Sequence, residues 1–243
     1  MKNPTDMGMN RSGLATAPVM APSMLEVPSL THPSHRGDEA LIADERIAYS
    51  LQGEPAVTMP PPGSFKEIAN ATVKLLKGET AAVLVDKLGE RLAFERSGVR
   101  LYEALISKFD AFGTFEGGPT REELQTILLQ EQEHFKLLAE TIRGLGSDFT
   151  AVTPSANVHD VLGEGLRAVM TDPRTNLQQG LEAALLAELS DNDCWANLIR
   201  LASQMGSDDL AAQFTACLDH EEEHLHLIRT WIAVALDRQA GVD

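Results

Sequence analysis

The strongest constraint in this sequence is a set of four long segments in which apolar residues recur with the period of an α-helix. They cover roughly residues 80–112, 120–145, 175–204 and 207–237, and each is two or three times the mean helix length. Short breaks with helix-stop and helix-start residues separate the first pair and the last pair, as between antiparallel neighbours in bundles. The pattern predicts an all-α fold: a four-helix bundle of two antiparallel hairpins joined by a long crossover.

The remaining segments are expected to flank or connect this bundle. About thirty residues, from Gly146 to Asn176, separate the two hairpins and leave room for a short helix around VHDVLGEGLRAVM. Residues 1–63 hold most of the prolines, so we expect an extended or disordered segment with a short helix around GDEALIADERIAYSL. A capping-box arrangement at Ser64 predicts a short helix over 64–78, and the bundle domain is expected to cover 79–238.

Charge and cysteine content exclude several classes of function. The formal net charge of −16 argues against a nucleic-acid partner, because phosphate binding needs clustered Lys and Arg. Cys194 and Cys217 show no Cys-x-x-Cys spacing, so neither a disulfide framework nor a cysteine-ligated metal site is predicted. The first residues lack the apolar stretch of a secretory signal, and no later segment reaches transmembrane length without charges. We therefore expect a cytoplasmic protein with no membrane partner.

Two Glu-x-x-His units lie on the second and fourth segments: Glu131 with His134, and Glu221 with His224. Residues three apart in a helix share a face, so each unit offers one carboxylate and one imidazole to the same point. Both units interrupt the apolar stripe, which is the face expected to be buried. The competing pair, Glu223 and His226, falls off that stripe, and we interpret it, together with Glu222, as surface.

The first and third segments each have one glutamate in the apolar stripe: Glu95 and Glu188. Glu182 is a poorer choice, because its neighbours one and two turns later leave the apolar face. Glu95 and Glu131 are equally far from Gly113 at the first break. Glu188 and Glu221 are likewise equally far from the middle of the second break. Along the helix, each glutamate pair lies roughly 25 to 27 Å from the turn of its hairpin. Stacking the hairpins can therefore bring all six groups to one height.

Six polar groups at one buried level need a partner, since isolated buried charges are costly. Two divalent ions balance the charge of four carboxylates and two neutral imidazoles. Oxygen and nitrogen ligands without thiolate suit iron or manganese, with zinc as a substitute. We therefore predict two metal ions, with iron preferred, held by these ligands: Glu95, Glu131, His134, Glu188, Glu221 and His224.

Other polar residues of the seam are candidates to support these ligands. Gln130 and His220 directly precede the glutamates of the two Glu-x-x-His units and are placed to bond the free ring nitrogen of the opposite histidine. Asp191 and Arg91 are expected to hold ligands or each other. Tyr102 is placed to bond a ligand or pass electrons, although a tyrosine in a bundle seam more often only packs.

The order and spacing of the six groups resemble the ferritin-like superfamily, with di-iron carboxylate sites of the bacterioferritin and rubrerythrin type, over roughly residues 80–237. The resemblance implies that Glu131 and Glu221 bridge the metals. The terminal ligands that it implies are Glu95 with His134, and Glu188 with His224. It also implies a ferroxidase- or peroxidase-type oxidoreductase that oxidises ferrous iron or reduces oxygen or peroxide. We expect a homo-oligomer, a dimer or larger.

Two other functions fit the same residues. One is a structural or partner-docking bundle, in which the metal site is not catalytic and residues 1–63 contact the partner. The other is the subunit of an iron-storage shell.

Overall fold

The computed structural model describes residues 22, 26, 39–54 and 79–241. Within these residues it contains six α-helices and no β-strand, which confirms the predicted all-α class. The chain divides into two units, residues 1–54 and 55–243. In the first unit, α1 (Glu39–Gln52) forms where the short N-terminal helix was predicted. The helix predicted over 64–78 lies outside the described residues.

The described part of the second unit contains four long helices and one shorter helix between the two hairpins. They are α2 (Glu79–Phe112), α3 (Arg121–Gly144), α4 (Pro154–Thr171), α5 (Leu177–Gln204) and α6 (Asp208–Ala240). The four long helices differ from their predicted bounds by at most three residues at either end. In the described part of the chain, none of these helices is long and apolar enough to cross a membrane.

Local capping explains where several of the helices begin. The side chains of Thr120 and Glu123 form a capping box at the start of α3, and Asn176 and Gln179 do the same for α5. The Thr153 hydroxyl accepts the backbone N–H of Ala156, so α4 begins earlier than the apolar pattern alone predicted. These caps satisfy N–H groups that have no partner within the helix.

The long helices pack pairwise and leave a polar layer between two apolar clusters. Helix α2 packs on α3 and α5 packs on α6, while α2 also contacts α5, and α3 contacts α6. On α3, Leu124 and Ile127 belong to one cluster, whereas Leu138 and Ile142 belong to the other. The polar residues that separate the clusters lie halfway along each helix. The fold therefore buries a polar layer in the middle of the bundle.

Helix α4 is fixed on α2 at both of its ends. At its start, the Ser155 backbone N–H and hydroxyl donate to the two carboxylate oxygens of Asp86 at 2.9 and 2.6 Å. At its end, Lys108 donates to the backbone oxygens of Asp172 and Thr175, both at 2.9 Å. The lysine thus satisfies carbonyls beyond the last turn, and α4 covers one side of the bundle.

Candidate metal centre

The polar layer contains all six side chains that the sequence pattern selected as ligands. None of them exposes more than 2% of its surface: Glu95, Glu131, His134, Glu188, Glu221 and His224. The glutamates and histidine that the apolar stripes excluded are all exposed: Glu182, Glu222, Glu223 and His226. The buried groups come from all four long helices, because each helix turns one such face toward the axis of the bundle.

Glu221 lies at the centre of the cluster, between the two histidines. Its Oε1 atom lies 2.8 Å from Nδ1 of His134, and its Oε2 atom lies 3.2 Å from Nδ1 of His224. Two groups of potential ligand atoms, each within 4.8 Å of one another, share this residue; they are Glu95, His134 and Glu221, and Glu131, Glu188, Glu221 and His224. The arrangement therefore has two halves, each with one imidazole, that meet at Glu221.

The two histidines turn the same ring nitrogen toward the cluster. Nε2 of His224 donates to Oε1 of Gln130 at 2.8 Å, and Nε2 of His134 lies 3.2 Å from Nδ1 of His220. Gln130 and His220 thus make the contacts expected from the sequence. A proton on Nε2 leaves the lone pair of Nδ1 free, so these contacts orient both imidazoles for metal binding.

Three further polar side chains contact the predicted ligands from outside the cluster. The Tyr102 hydroxyl donates to Oε1 of Glu188. Arg91 places Nε 2.9 Å from Oε1 of Glu95 and Nη1 2.6 Å from Oδ1 of Asp191, so it contacts both carboxylates at once. Asp191 also lies within 4.8 Å of three predicted ligands; this third group is Glu95, Glu131, Asp191 and Glu221.

The sequence patterns did not indicate two residues that shape the site. A Cβ atom at Gly98 would overlap Oε2 of Glu131 and lie 3.0 Å from its Cδ, so only glycine admits the carboxylate there. The Asn192 side chain donates to the backbone oxygens of Glu188 at 2.9 Å and Glu221 at 3.1 Å, and it thereby ties α5 to α6. Gly98 does carry a sequence signal, because it lies three residues after Glu95 inside a long helix.

Burial and mutual contact raise the pKa values of several groups in the cluster. Burial raises the pKa of Glu131 well above its usual range, and neighbouring Glu221 adds to this effect. Burial also raises the pKa of Glu188, to about 7, although His224 opposes the rise. For His224, burial alone would lower the pKa, but Glu188 and Glu221 raise it to about 9. Without a metal, protons therefore supply part of the positive charge that this cluster needs.

The donor set fits a divalent metal ion. The carboxylates of Glu95, Glu131 and Glu188 each have a buried oxygen with no hydrogen-bond donor in the structure, a costly condition that a cation relieves. The donors are carboxylate oxygens and imidazole nitrogens, which are ligands for iron, manganese and zinc. Gly98 leaves the space in which the Glu131 carboxylate can sit. These buried groups can therefore hold a metal ion.

We expect metal to stabilise the protein more strongly as the pH rises from about 7 to about 9, the pKa values of Glu188 and His224. Both pKa values are raised by folding, so the protonated groups contribute stability at low pH that is lost as the pH rises through those values. Metal binding requires the deprotonated forms. The measurement is the melting temperature with and without Mn²⁺ across this interval. A metal-induced increase in melting temperature that does not depend on pH would contradict the expectation.

Comparison with known proteins gives no family for the chain: no protein-family model, no curated protein and no solved structure matches it.

Proposed function

We propose that this chain is a ferritin-like di-metal carboxylate protein that binds two ions, with iron preferred, and oxidises ferrous iron while oxygen or peroxide is reduced. The observation that carries the proposal is the position of Glu221, which lies between two imidazoles and belongs to both ligand groups. A single buried ion pair would not need two histidines and four glutamates from four helices at one level.

The course of the chain supports the ferritin-like arrangement. Two hairpins, α2 with α3 and α5 with α6, each contribute one lone glutamate and one Glu-x-x-His unit. A glutamate from each of two helices and a Glu-x-x-His unit from each of the other two is the ligand set of di-iron and di-manganese carboxylate bundles. Helix α4 occupies the long connection between the hairpins, which ferritin-like folds also possess.

Each contact in the site has a role under this proposal. Glu131 and Glu221 would help to hold both ions, and one lone glutamate and one histidine would complete the ligands of each ion. Gln130 and His220 would hold the imidazoles in orientation, while the Tyr102 hydroxyl donates a hydrogen bond to Oε1 of Glu188. The two apolar clusters exclude water from both ends of the layer. Paired ferrous ions would supply the electrons for the reduction of oxygen or peroxide.

Anaerobic loading with ferrous ions, followed by exposure to oxygen, tests this function. We expect two ferrous ions to bind per chain and to be oxidised together, because the two halves of the site share Glu221. Glu131→Ala should lose the rapid oxidation signal, whereas Glu133→Ala, an exposed glutamate on the same helix, should keep it. Absence of a two-ion stoichiometry, or an unchanged signal in Glu131→Ala, would refute the proposal.

A second candidate function is a partner-docking bundle with a non-catalytic metal site. It is favoured by α1, whose large apolar side chains are exposed; among them Leu41 is 66%, Tyr49 69% and Leu51 82% exposed. If deletion of residues 1–63 abolishes an assembly while substitution of Glu131 leaves function intact, this candidate replaces the first. Particle size distinguishes both from a storage shell, because a shell is far larger than a dimer.

A further inference from the structure

Arg91 is a buried cation at the edge of the ligand cluster. Its side chain is 1% exposed and contacts the carboxylates of Glu95 and Asp191. Its guanidinium carbon also lies 4.1 Å from the centre of the Phe94 ring, a cation–π contact that covers one face of the charged group. Arginine keeps its charge at any pH at which the protein folds. The cluster therefore contains one fixed positive charge of its own.

The charges of the layer come into balance only when Arg91 is counted. Five buried carboxylates lie in it: Glu95, Glu131, Glu188, Asp191 and Glu221. Fully ionised, they carry five negative charges, of which the guanidinium neutralises one. The remaining four match two divalent ions. Without Arg91 one negative charge would stay unbalanced, and a buried unbalanced charge is costly.

The position of Asp191 shows what the guanidinium prevents. Asp191 lies within 4.8 Å of ligand atoms on Glu95, Glu131 and Glu221, which is a geometry that could hold a further cation. Arg91 Nη1 lies 2.6 Å from Asp191, so the guanidinium already provides the positive charge at that edge. We propose that Arg91 is a resident third cation of the centre, and that it limits the capacity of the centre to two divalent ions. This inference rests on the proposed two-metal function and specifies how many ions the site accepts.

Neutralising the two partners of the Arg91–Asp191 pair should change metal affinity in opposite directions. Arg91→Gln leaves an additional negative charge, so it should tighten binding of the second Mn²⁺ ion at least about ten-fold, or admit a third ion. Asp191→Asn leaves the charge of the guanidinium unbalanced, so it should weaken binding of the second Mn²⁺ ion by a similar factor. The double variant removes both charges and should return to within about three-fold of the wild-type affinity.

The measurement is a calorimetric titration of the full chain with Mn²⁺, normalised to folded protein. Arg100→Gln and Asp193→Asn serve as controls, because they remove exposed charges from the same two helices and should leave affinity unchanged. Loss of metal affinity in both single variants would overturn the inference. If the Arg91–Asp191 pair only supports the fold, removal of either partner should weaken metal binding. A double variant as weak as Asp191→Asn, which would make Asp191 a ligand, would also overturn the inference. A wild-type protein that binds no Mn²⁺ would instead refute the proposed function.

Discussion

Glu221→Ala is expected to remove both metal ions from the centre, taking the stoichiometry from two ions per chain to none. Among the described residues, Glu221 contacts both histidines and belongs to every group of potential ligands. Burial would raise the pKa of its carboxylate, but contacts with His134 and His224 outweigh this effect and lower the pKa. The carboxylate is therefore ionised in the folded protein. Anaerobic equilibrium dialysis against Mn²⁺ or Fe²⁺ gives the stoichiometry directly.

The matched control for this substitution is Glu223→Ala, which removes an exposed carboxylate two residues away on the same helix. It should retain both ions. Circular dichroism of each variant verifies that the helices are intact, because α6 packs on α5. Full metal binding by folded Glu221→Ala would contradict the central role of this residue, as would equal losses in the two variants.

Gly98→Ala should weaken metal binding by about 10- to 100-fold, the range found when groups that orient a ligand are altered, while the protein stays folded. The added methyl group would overlap Oε2 of Glu131, which is the flexible end of that side chain. The carboxylate can move aside with little cost to the fold, but it then leaves its place beside Glu188, Glu221 and His224. Alanine also favours a helix interior by about 0.5 to 1 kcal/mol relative to glycine, which offsets part of any strain.

Gly165→Ala is the control for this prediction, because a Cβ atom at residue 165 would meet nothing within 4 Å. It should raise the melting temperature slightly and leave metal affinity unchanged. Calorimetric titration with Mn²⁺ and thermal unfolding of both variants separate the two effects. If Gly98→Ala binds metal as tightly as Gly165→Ala does, then Gly98 does not make room for a ligand.

The sequence was sufficient to predict the all-α class, the four long helices and the six residues that converge in the buried layer. The convergence followed from two local rules, helical period and equal distance from a turn, which need no knowledge of side-chain conformation. The same rules separated Glu221 from Glu223, because only the former continues an apolar stripe. The contacts of Gln130 and His220 also followed from their positions beside the two Glu-x-x-His units.

Features that depend on the distance between helices could not be predicted in this way. Gly98 matters because α3 brings Glu131 close to the backbone of α2, and helical period alone does not give that separation. Asn192 contacts a backbone oxygen on its own helix and another on α6, and the second depends on how α5 and α6 pack. The sequence placed Arg91 and Asp191 near the seam, but which carboxylates the guanidinium reaches depends on side-chain conformation.

An anomalous-scattering crystal structure of the Mn²⁺-loaded protein is the most direct test of the central claim, that the buried layer binds two metal ions. We predict two peaks in the middle of the bundle, one beside Nδ1 of His134 and the other beside Nδ1 of His224, with Glu221 contacting both. Loaded crystals with no peak in this layer, or with Mn²⁺ only at the exposed residues Glu222, Glu223 and His226, would contradict the claim.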